Sequence, residues 1–133
     1  MYFLDSSFLI DYADADRSGH DAAVSFLEEN ENSPFAAPSV VMYEIYRGAT
    51  RTGRGVEAAT EDFGWVQTVG FGDDEAQRAA RLYATLLDKG ERINSADILI
   101  AAVVMENGGS LVTGDSDFSR VDGLDVVDYR SAG

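Results

Sequence analysis

Short apolar segments alternate with stretches of helical periodicity along this chain, and that order restricts its fold more than any other feature. The apolar run at residues 2–4 is followed by helical spacing, and the same succession recurs after residues 34–38 and 65–69. Strands separated by helices are joined by crossover connections rather than hairpins, so they run parallel. The pattern predicts an α/β fold of three layers, in which helices cover both faces of a mainly parallel central sheet.

Turn and capping residues indicate where these elements begin and end. Asp5, Ser39 and Ser95 are expected to cap helices, and Gly108 follows the end of the last one. The clearest amphipathic pattern runs from 73 to 89 and predicts a buried face that includes Tyr83. We expect strands at 2–4, 34–38, 65–69, 110–113 and 124–128, and helices at 8–12, 20–30, 39–49, 56–63, 73–89 and 96–107.

The composition excludes several classes of protein. The length fits a single domain over residues 1–133, and an apolar share of 45% is too high for a disordered acidic tail. The chain has no cysteine and one histidine, His20, which excludes disulfide scaffolds, thiolate zinc sites and multi-histidine metal motifs. The longest apolar run, residues 98–105, is far shorter than a membrane span of ~20 residues. We therefore expect a cytoplasmic protein with no membrane partner.

The charge balance is strongly acidic, with 24 acidic residues against 10 basic ones and a formal net charge of −14. Lysine occurs once, at Lys89, and all other basic residues are arginines. This lysine deficit favours a protein adapted to very high salt, where repulsion between surface carboxylates is screened. An acidic protein from ordinary salt, or one that binds a basic protein, is the alternative.

Five carboxylates stand at predicted strand ends or on apolar helix faces. Asp5 follows the first strand and Asp115 and Asp117 follow the fourth, and the carboxyl ends of parallel strands form one edge of a sheet. Glu44 shares a helix face with apolar residues, and Asp97 lies in the first turn of an apolar helix. Each also has an ordinary structural interpretation: a helix cap, a turn or, for Glu44, an ion pair with a nearby arginine.

As a group, these carboxylates favour a metal site. Two carboxylates about 4 Å apart repel by roughly 4 kcal/mol at an effective dielectric of about 20, so several at one sheet edge would need a cation. Oxygen ligands without histidine or cysteine select a hard ion, Mg²⁺ or Mn²⁺. A carboxylate pocket that holds such an ion is suited to phosphoryl chemistry.

Four segments, in this order, resemble the motifs of PIN-domain ribonucleases, and most closely those of the VapC-type toxins of VapBC toxin–antitoxin systems. They are residues 5–11 (Asp-Ser-Ser-Phe-Leu-Ile-Asp), 44–48 (Glu-Ile-Tyr-Arg-Gly), 96–102 (Ala-Asp-Ile-Leu-Ile-Ala-Ala) and 111–118 (Leu-Val-Thr-Gly-Asp-Ser-Asp-Phe). Each motif alone is unspecific. Four in order over nearly the whole chain make the resemblance specific.

The resemblance implies a PIN-like domain and a Mg²⁺-dependent endoribonuclease that leaves a 5′-phosphate and a 3′-hydroxyl. Asp117 would be a fifth, looser ligand or a structural residue, and a hydroxyl of Ser6 or Ser7 would support the site. Gly114 is a departure, since the family often carries a polar or basic side chain there. The residues that the resemblance assigns to the metal are Asp5, Glu44, Asp97 and Asp115.

The resemblance also implies three partners: an RNA substrate, a VapB-like antitoxin and a second copy in a homodimer. RNA is polyanionic, so binding to an acidic chain depends on local cations. Arg47, Arg51 and Arg54 are the candidates for phosphate contact, with pairing to surface acids as the alternative. The antitoxin groove of such proteins lies at the first and third helices, near Tyr12 and Tyr43.

Two alternatives within the family stay open, a PIN-like RNA-processing nuclease and a catalytically silent PIN-like binding module. Two rivals outside it fit poorly. A receiver domain needs a lysine at a late strand end, whereas Lys89 ends a helix, and an aspartate-nucleophile phosphatase needs a second aspartate at position 7, where Ser7 stands.

Overall fold

The computed structural model describes residues 1–131, which form a five-stranded, fully parallel sheet. Its spatial order is β3-β2-β1-β4-β5, so the first strand is central. In the register, Phe3 lies between Ala36 on one side and Leu111 on the other. The strands are β1 (Tyr2–Leu4), β2 (Phe35–Pro38), β3 (Gln67–Val69), β4 (Ser110–Thr113) and β5 (Val126–Asp128).

Six α-helices connect and cover these strands, and together with the sheet they form the predicted three-layer α/β/α arrangement. A 3₁₀ helix, Ser116–Arg120, follows β4 and was not predicted. The helices are α1 (Ser6–Ala13), α2 (His20–Glu29), α3 (Ser39–Arg51), α4 (Val56–Asp62), α5 (Asp73–Asp88) and α6 (Ser95–Glu106). Within residues 1–131, none of them is both long and apolar enough to cross a bilayer.

The strand order places a topological switch between β1 and β4. The chain moves outward from β1 to β2 and β3, then returns to the other side of β1 for β4 and β5. At such a switch the connections after the two strands run in opposite directions and leave a crevice at their carboxyl ends. Asp5 follows β1 and Gly114 follows β4, so both lie at this crevice.

The core forms around the two central strands and the apolar helix α6. Phe3, Leu4, Leu111 and Val112 are fully buried, and six residues of α6 are buried because this helix is apolar on all sides. Phe118 of the 3₁₀ helix is also buried and fixes the segment that follows β4. The elements that carry the five carboxylates are therefore anchored by buried apolar side chains.

Two predicted helix caps are wrong by one residue. Asn94, not Ser95, caps α6, because its side-chain oxygen accepts a hydrogen bond from the Ala96 amide at 2.8 Å. Likewise Pro38 precedes α3 and Ser39 is its first helical residue. In both places the serine lies one position inside the helix.

The predicted burial of Tyr83 is also wrong, since 57% of its surface is exposed. Helix α5 packs on α6 through Ala79 and Leu86, and this narrow contact leaves Tyr83 and Leu87 on the outer side. Trp65 is exposed as well, at 39%. The amphipathic pattern predicted the position of α5 correctly, but the buried face that it predicted is wider than the observed one.

Candidate metal centre

Three carboxylates converge beyond the carboxyl ends of β1 and β4. Asp97, in the first turn of α6, and Asp115 and Asp117, after β4, each present an oxygen within 4.8 Å of the other two. Asp115 accepts a hydrogen bond from the Asp117 amide at 2.9 Å, which fixes the turn that carries both side chains. The structure thus brings together carboxylates that are 20 positions apart in sequence.

Asp5 lies in the same crevice and is held through both of its carboxylate oxygens. Its Oδ1 accepts from the Ser6 amide at 2.8 Å, and its Oδ2 accepts from the Thr113 hydroxyl at 2.7 Å and the Ser7 hydroxyl at 3.3 Å. The residue is almost fully buried. It is therefore both the cap of α1 and a fixed member of the site, so its two interpretations from sequence are compatible.

Glu44 reaches the site from α3. Its Oε1 is buried without a hydrogen-bond partner among residues 1–131, and no ion pair to Glu44 is present in that range. The alternative expectation of an ion pair with Arg47 is thus wrong, since the Arg47 guanidinium lies over the Tyr43 ring at 5.2 Å. A buried carboxylate oxygen without a donor is costly unless a cation satisfies it.

The pKa values show that these groups act on one another. Burial, followed by the charges of Asp5, Asp115, Glu44 and Asp117, raises the pKa of Asp97 to about 7. Burial also raises the pKa of Asp5, against the hydrogen bonds that it accepts. The pKa of Glu44 is raised by burial and by the Asp5 charge. Because Asp97 senses the other four carboxylates, the five form one electrostatic unit, which we call the acid cluster.

A divalent cation fits the acid cluster. The donor set is made of oxygen atoms alone, and one of them lacks a hydrogen-bond partner within residues 1–131. Burial and the neighbouring carboxylate charges raise the pKa of Asp97 to about 7, so this carboxyl is partly protonated near neutral pH. Such a set prefers a hard ion such as Mg²⁺, which would remove the repulsion and displace the proton.

The hydroxyl groups of Thr113 and Ser7 form hydrogen bonds that hold the acid cluster in position. Thr113 is buried, donates to Asp5 and accepts from the Asp115 amide at 3.0 Å. The Ser7 hydroxyl accepts from the Gly114 amide at 3.2 Å. A hydroxyl of Ser6 or Ser7 was expected to support the site, whereas no role was expected for Thr113, although Thr113 lies inside the fourth motif.

The three arginines expected to contact phosphate lie in different environments. Arg54 forms an ion pair with Asp62 at 2.6 Å, Arg47 lies over Tyr43, and Arg51 is exposed at the end of α3. Arg54 and Glu44 both line a cleft of about 610 Å³ between α1, α3 and α4. The cleft therefore extends from the acid cluster to Arg54.

A second network, around the carboxylate of Asp11, lies beside the acid cluster and was not predicted from the sequence. Asp11 is 1% exposed and pairs with Arg17 at 2.8 Å and with Arg130 at 2.7 Å. Burial alone would raise its pKa, but hydrogen bonds from Tyr129, Arg17 and Arg130 lower it to about 2. Asp11 is thus a charged structural residue, fully satisfied by its partners, in contrast to Glu44.

Comparison with known proteins agrees with this fold. The family model described as "PIN domain" matches residues 2–124, and the chain therefore belongs to the PIN-domain family. Ribonuclease VapC5 of Mycobacterium tuberculosis is 34% identical over 71 residues, which are 53% of this chain and 53% of that protein. The match therefore spans about half the length of this curated relative.

Solved structures share the fold over nearly the full chain. A DNA-bound VapBC of Salmonella typhimurium gives a TM-score of 0.81 at 20% identity, covering 96% of this chain and 97% of that one. FitAcB of Neisseria gonorrhoeae gives 0.78 at 17% identity, covering 97% and 98%. VapC20 of Mycobacterium tuberculosis, described as a sarcin-ricin loop cleaving toxin, gives 0.70 at 20% identity, covering 96% and 100%. The predicted PIN fold is confirmed.

Proposed function

We propose that this chain is a Mg²⁺-dependent endoribonuclease and the toxin of a VapBC-type toxin–antitoxin pair. The observation that carries the proposal is the convergence of Asp97, Asp115 and Asp117 within 4.8 Å, beside the buried Asp5 and the buried Oε1 of Glu44. The match to a curated ribonuclease of the VapC type supports RNA as the substrate. An intact acid cluster argues against a catalytically silent binding module.

Asp5, Glu44, Asp97 and Asp115 would hold the ion, and Asp117 would complete the cluster. A bound Mg²⁺ supplies positive charge to the scissile phosphate and lowers the pKa of an attacking water, and Mn²⁺ could replace it. This chain's own residues position the carboxylates. The hydroxyl groups of Thr113 and Ser7 fix Oδ2 of Asp5, the Ser6 amide fixes Oδ1, and the hydrogen bond within the turn fixes Asp115.

Binding of the ion is coupled to loss of a proton from Asp97. The raised pKa of about 7 means that this carboxyl is partly protonated near neutral pH in the metal-free protein. Ligand carboxylates must be ionised to bind a metal, so protons compete with Mg²⁺ at this position. The product expected from hydrolysis carries a 5′-phosphate, and the other fragment a 3′-hydroxyl.

The proposed protein partner is a VapB-like antitoxin, because the structural relatives are described as VapBC complexes. The cleft between α1, α3 and α4 would receive it: Ile45 and Phe63 line the cleft, and the exposed Ile10 borders it. We place the exposed Tyr83 and Leu87 of α5 in a homodimer contact. Such a toxin would act in the cytoplasm, where its RNA and antitoxin are made.

Sequencing of RNA ends after induced expression tests this function. Wild type should produce new 5′-phosphate ends at defined sites, and Asp97→Ala should produce none while remaining folded. Asp88→Asn, which removes an exposed carboxylate on α5, is the matched control and should cleave like wild type. Cleavage by purified Asp97→Ala at the wild-type rate would reject the assignment, and ends confined to one precursor RNA would favour an RNA-processing nuclease.

A further inference from the structure

Arg130 lies at the same edge of the sheet as the acid cluster. Strand β5 pairs with β4 in a register that places Asp128 beside Thr113, so the residues after each strand emerge together. Arg130 follows β5 by two positions, and Gly114 follows β4 directly. A Cβ added to Gly114 would stand 2.6 Å from both Cζ and Nη1 of Arg130. The guanidinium therefore occupies the space that any side chain at 114 would need.

One edge of this guanidinium is anchored and the other is not. Nε and Nη2 donate to Oδ2 of the buried Asp11 at 3.0 and 2.7 Å. The Arg130 amide donates to Asp128 at 3.0 Å, which fixes the backbone turn. Within residues 1–131, Nη1 has no hydrogen-bond partner, and 40% of the side chain is exposed. Arg130, which also lies over the Tyr129 ring at 5.5 Å, is thus an oriented cation whose Nη1 donors have no hydrogen-bond partner in the described part of the chain.

Asp11 is paired with two arginines, although the chain as a whole is acidic. Asp11 is shared by Arg17 and Arg130, so three charged groups sum to +1. An arginine whose only carboxylate is shared in this way keeps an unneutralised charge. The chain carries a formal net charge of −14, so an RNA strand would need a local cation near the reacting phosphate.

A short chain of contacts joins Arg130 to the acid cluster. The guanidinium lies against Gly114, and the Gly114 amide donates to the Ser7 hydroxyl at 3.2 Å. Ser7 in turn donates to Asp5 at 3.3 Å, and Asp115 is the next residue along the chain. The cation is therefore held at the border of the site by the segment that carries one of its carboxylates.

We propose that Arg130 binds a backbone phosphate of the RNA strand through its Nη1 edge, next to the phosphate held at the acid cluster. This rests on the proposed nuclease function and names a substrate-binding residue for it. Gly114 is required because a side chain there would displace the guanidinium. Arginine suits this task because its fixed planar donors can serve Asp11 and a phosphate at the same time.

RNA binding can be measured without cleavage in an Asp97→Asn background, by fluorescence anisotropy with a short labelled single-stranded RNA of mixed sequence. Arg130→Ala should weaken binding about tenfold, the size expected for a charge-assisted contact. The slope of log affinity against log salt should fall by about 0.7, the value for one phosphate on a single strand. Arg130→Lys should retain part of the affinity, because it keeps the charge but not the planar donors.

Arg17→Ala is the matched control. Arg17 pairs with Asp11 as closely as Arg130 does and is similarly exposed, at 45%, but it does not contact Gly114. Both alanine variants should lower the melting temperature, but Arg17→Ala, which removes a neighbouring charge and leaves the Arg130 guanidinium in place, should weaken RNA binding and lower the salt slope less than Arg130→Ala does. Equal effects of the two variants on affinity and slope would overturn the proposal.

Gly114→Ala gives an independent test if Arg130→Ala does not fold. Gly114→Ala keeps the formal charge and displaces the guanidinium, so it should also weaken RNA binding. Combined with Arg130→Lys, it should lower the RNA affinity little further than Arg130→Lys alone. If the wild-type protein cleaves RNA but Gly114→Ala binds it with wild-type affinity, the role of Arg130 is refuted and the nuclease function is not. A wild-type protein that neither cleaves nor binds RNA would refute the nuclease function as well.

Discussion

The Thr113 hydroxyl donates to Asp5 across 108 positions of sequence, at 2.7 Å, and so joins the ends of the two central strands. The same oxygen accepts from the Asp115 amide at 3.0 Å. One buried hydroxyl therefore sets the position of two carboxylates of the acid cluster relative to each other.

Thr113→Val should lower both stability and cleavage. It keeps the shape of the side chain, but it leaves the Asp115 amide without a partner and removes the shorter of the two hydroxyl hydrogen bonds to Asp5 Oδ2, at a cost of about 1–3 kcal/mol. Urea unfolding and RNA cleavage measure the two effects. Thr113→Ser retains the hydroxyl and should keep more activity than Thr113→Val; equal activity in all three proteins would contradict this role.

The metal-free protein should lose stability relative to Asp97→Asn as the pH rises from about 4 to about 7. The folded-state pKa of Asp97 is about 7, above its ordinary value of 3.8, so folding favours the protonated form. That contribution is complete below the unfolded pKa and is lost as the pH rises through the folded one. Melting temperatures of the two proteins in EDTA measure the difference, and a constant difference across this range would contradict it.

Mg²⁺ should raise the melting temperature at pH 8. A ligand present at about 100 times its Kd adds about 2.7 kcal/mol, which is roughly 10 °C for a domain of this size. Asp5→Asn should abolish most of the increase because Asp5 is a proposed ligand whose two oxygens are held in position by hydrogen bonds. Asp88→Asn should show the full increase, and an increase of wild-type size in Asp5→Asn would place the ion elsewhere.

Charge reversal at Arg51 and Arg54 tests whether the end of α3 contributes to RNA binding. Arg54 is already paired with Asp62, whereas Arg51 is exposed, so Arg51→Glu should weaken binding more than Arg54→Glu. Anisotropy in the Asp97→Asn background gives both affinities. Unchanged affinity and cleavage in the double variant would leave these arginines with a structural role on the surface.

Salt should stabilise the protein. Raising KCl from about 0.1 M to about 1 M shortens the Debye length from about 10 Å to about 3 Å. This weakens surface pairs such as Arg54 with Asp62, but it also screens the repulsion of an excess of 14 negative charges, and the second effect should prevail. A melting temperature that falls with KCl would contradict salt adaptation.

The fold was predictable from the sequence because its signals are local. Short apolar runs, glycines and prolines place the strands and helices, and the parallel sheet follows from their alternation. The acid cluster was predictable for a related reason, since Glu44 and Asp97 carry charge where the pattern requires apolar residues. The resemblance to PIN-domain motifs then gave these acids an order and a role.

What the sequence could not show depends on contacts between distant residues. Nothing near Asp11 indicates that it is buried, because its partners Tyr129 and Arg130 are more than 100 positions away. The exposure of Tyr83 depends on how narrow the contact between α5 and α6 is, which helical spacing does not specify. In the sequence, Gly114 is only a departure from the polar or basic residue that the family often carries. The structure shows that the Arg130 guanidinium occupies the space that a side chain at 114 would need.

The central position of β1 also determines when the acid cluster can form during synthesis. Asp5 leaves the ribosome early, but its partner Thr113 and the strand that carries it are made more than 100 residues later. A chain that ends before β4 can form α1 to α5 and the pairing of β1 with β2, yet it lacks the Thr113 hydroxyl that holds Asp5 Oδ2 and it lacks Asp115. The ribosome that makes this protein is therefore not exposed to an assembled acid cluster until the segment after β4 has been made.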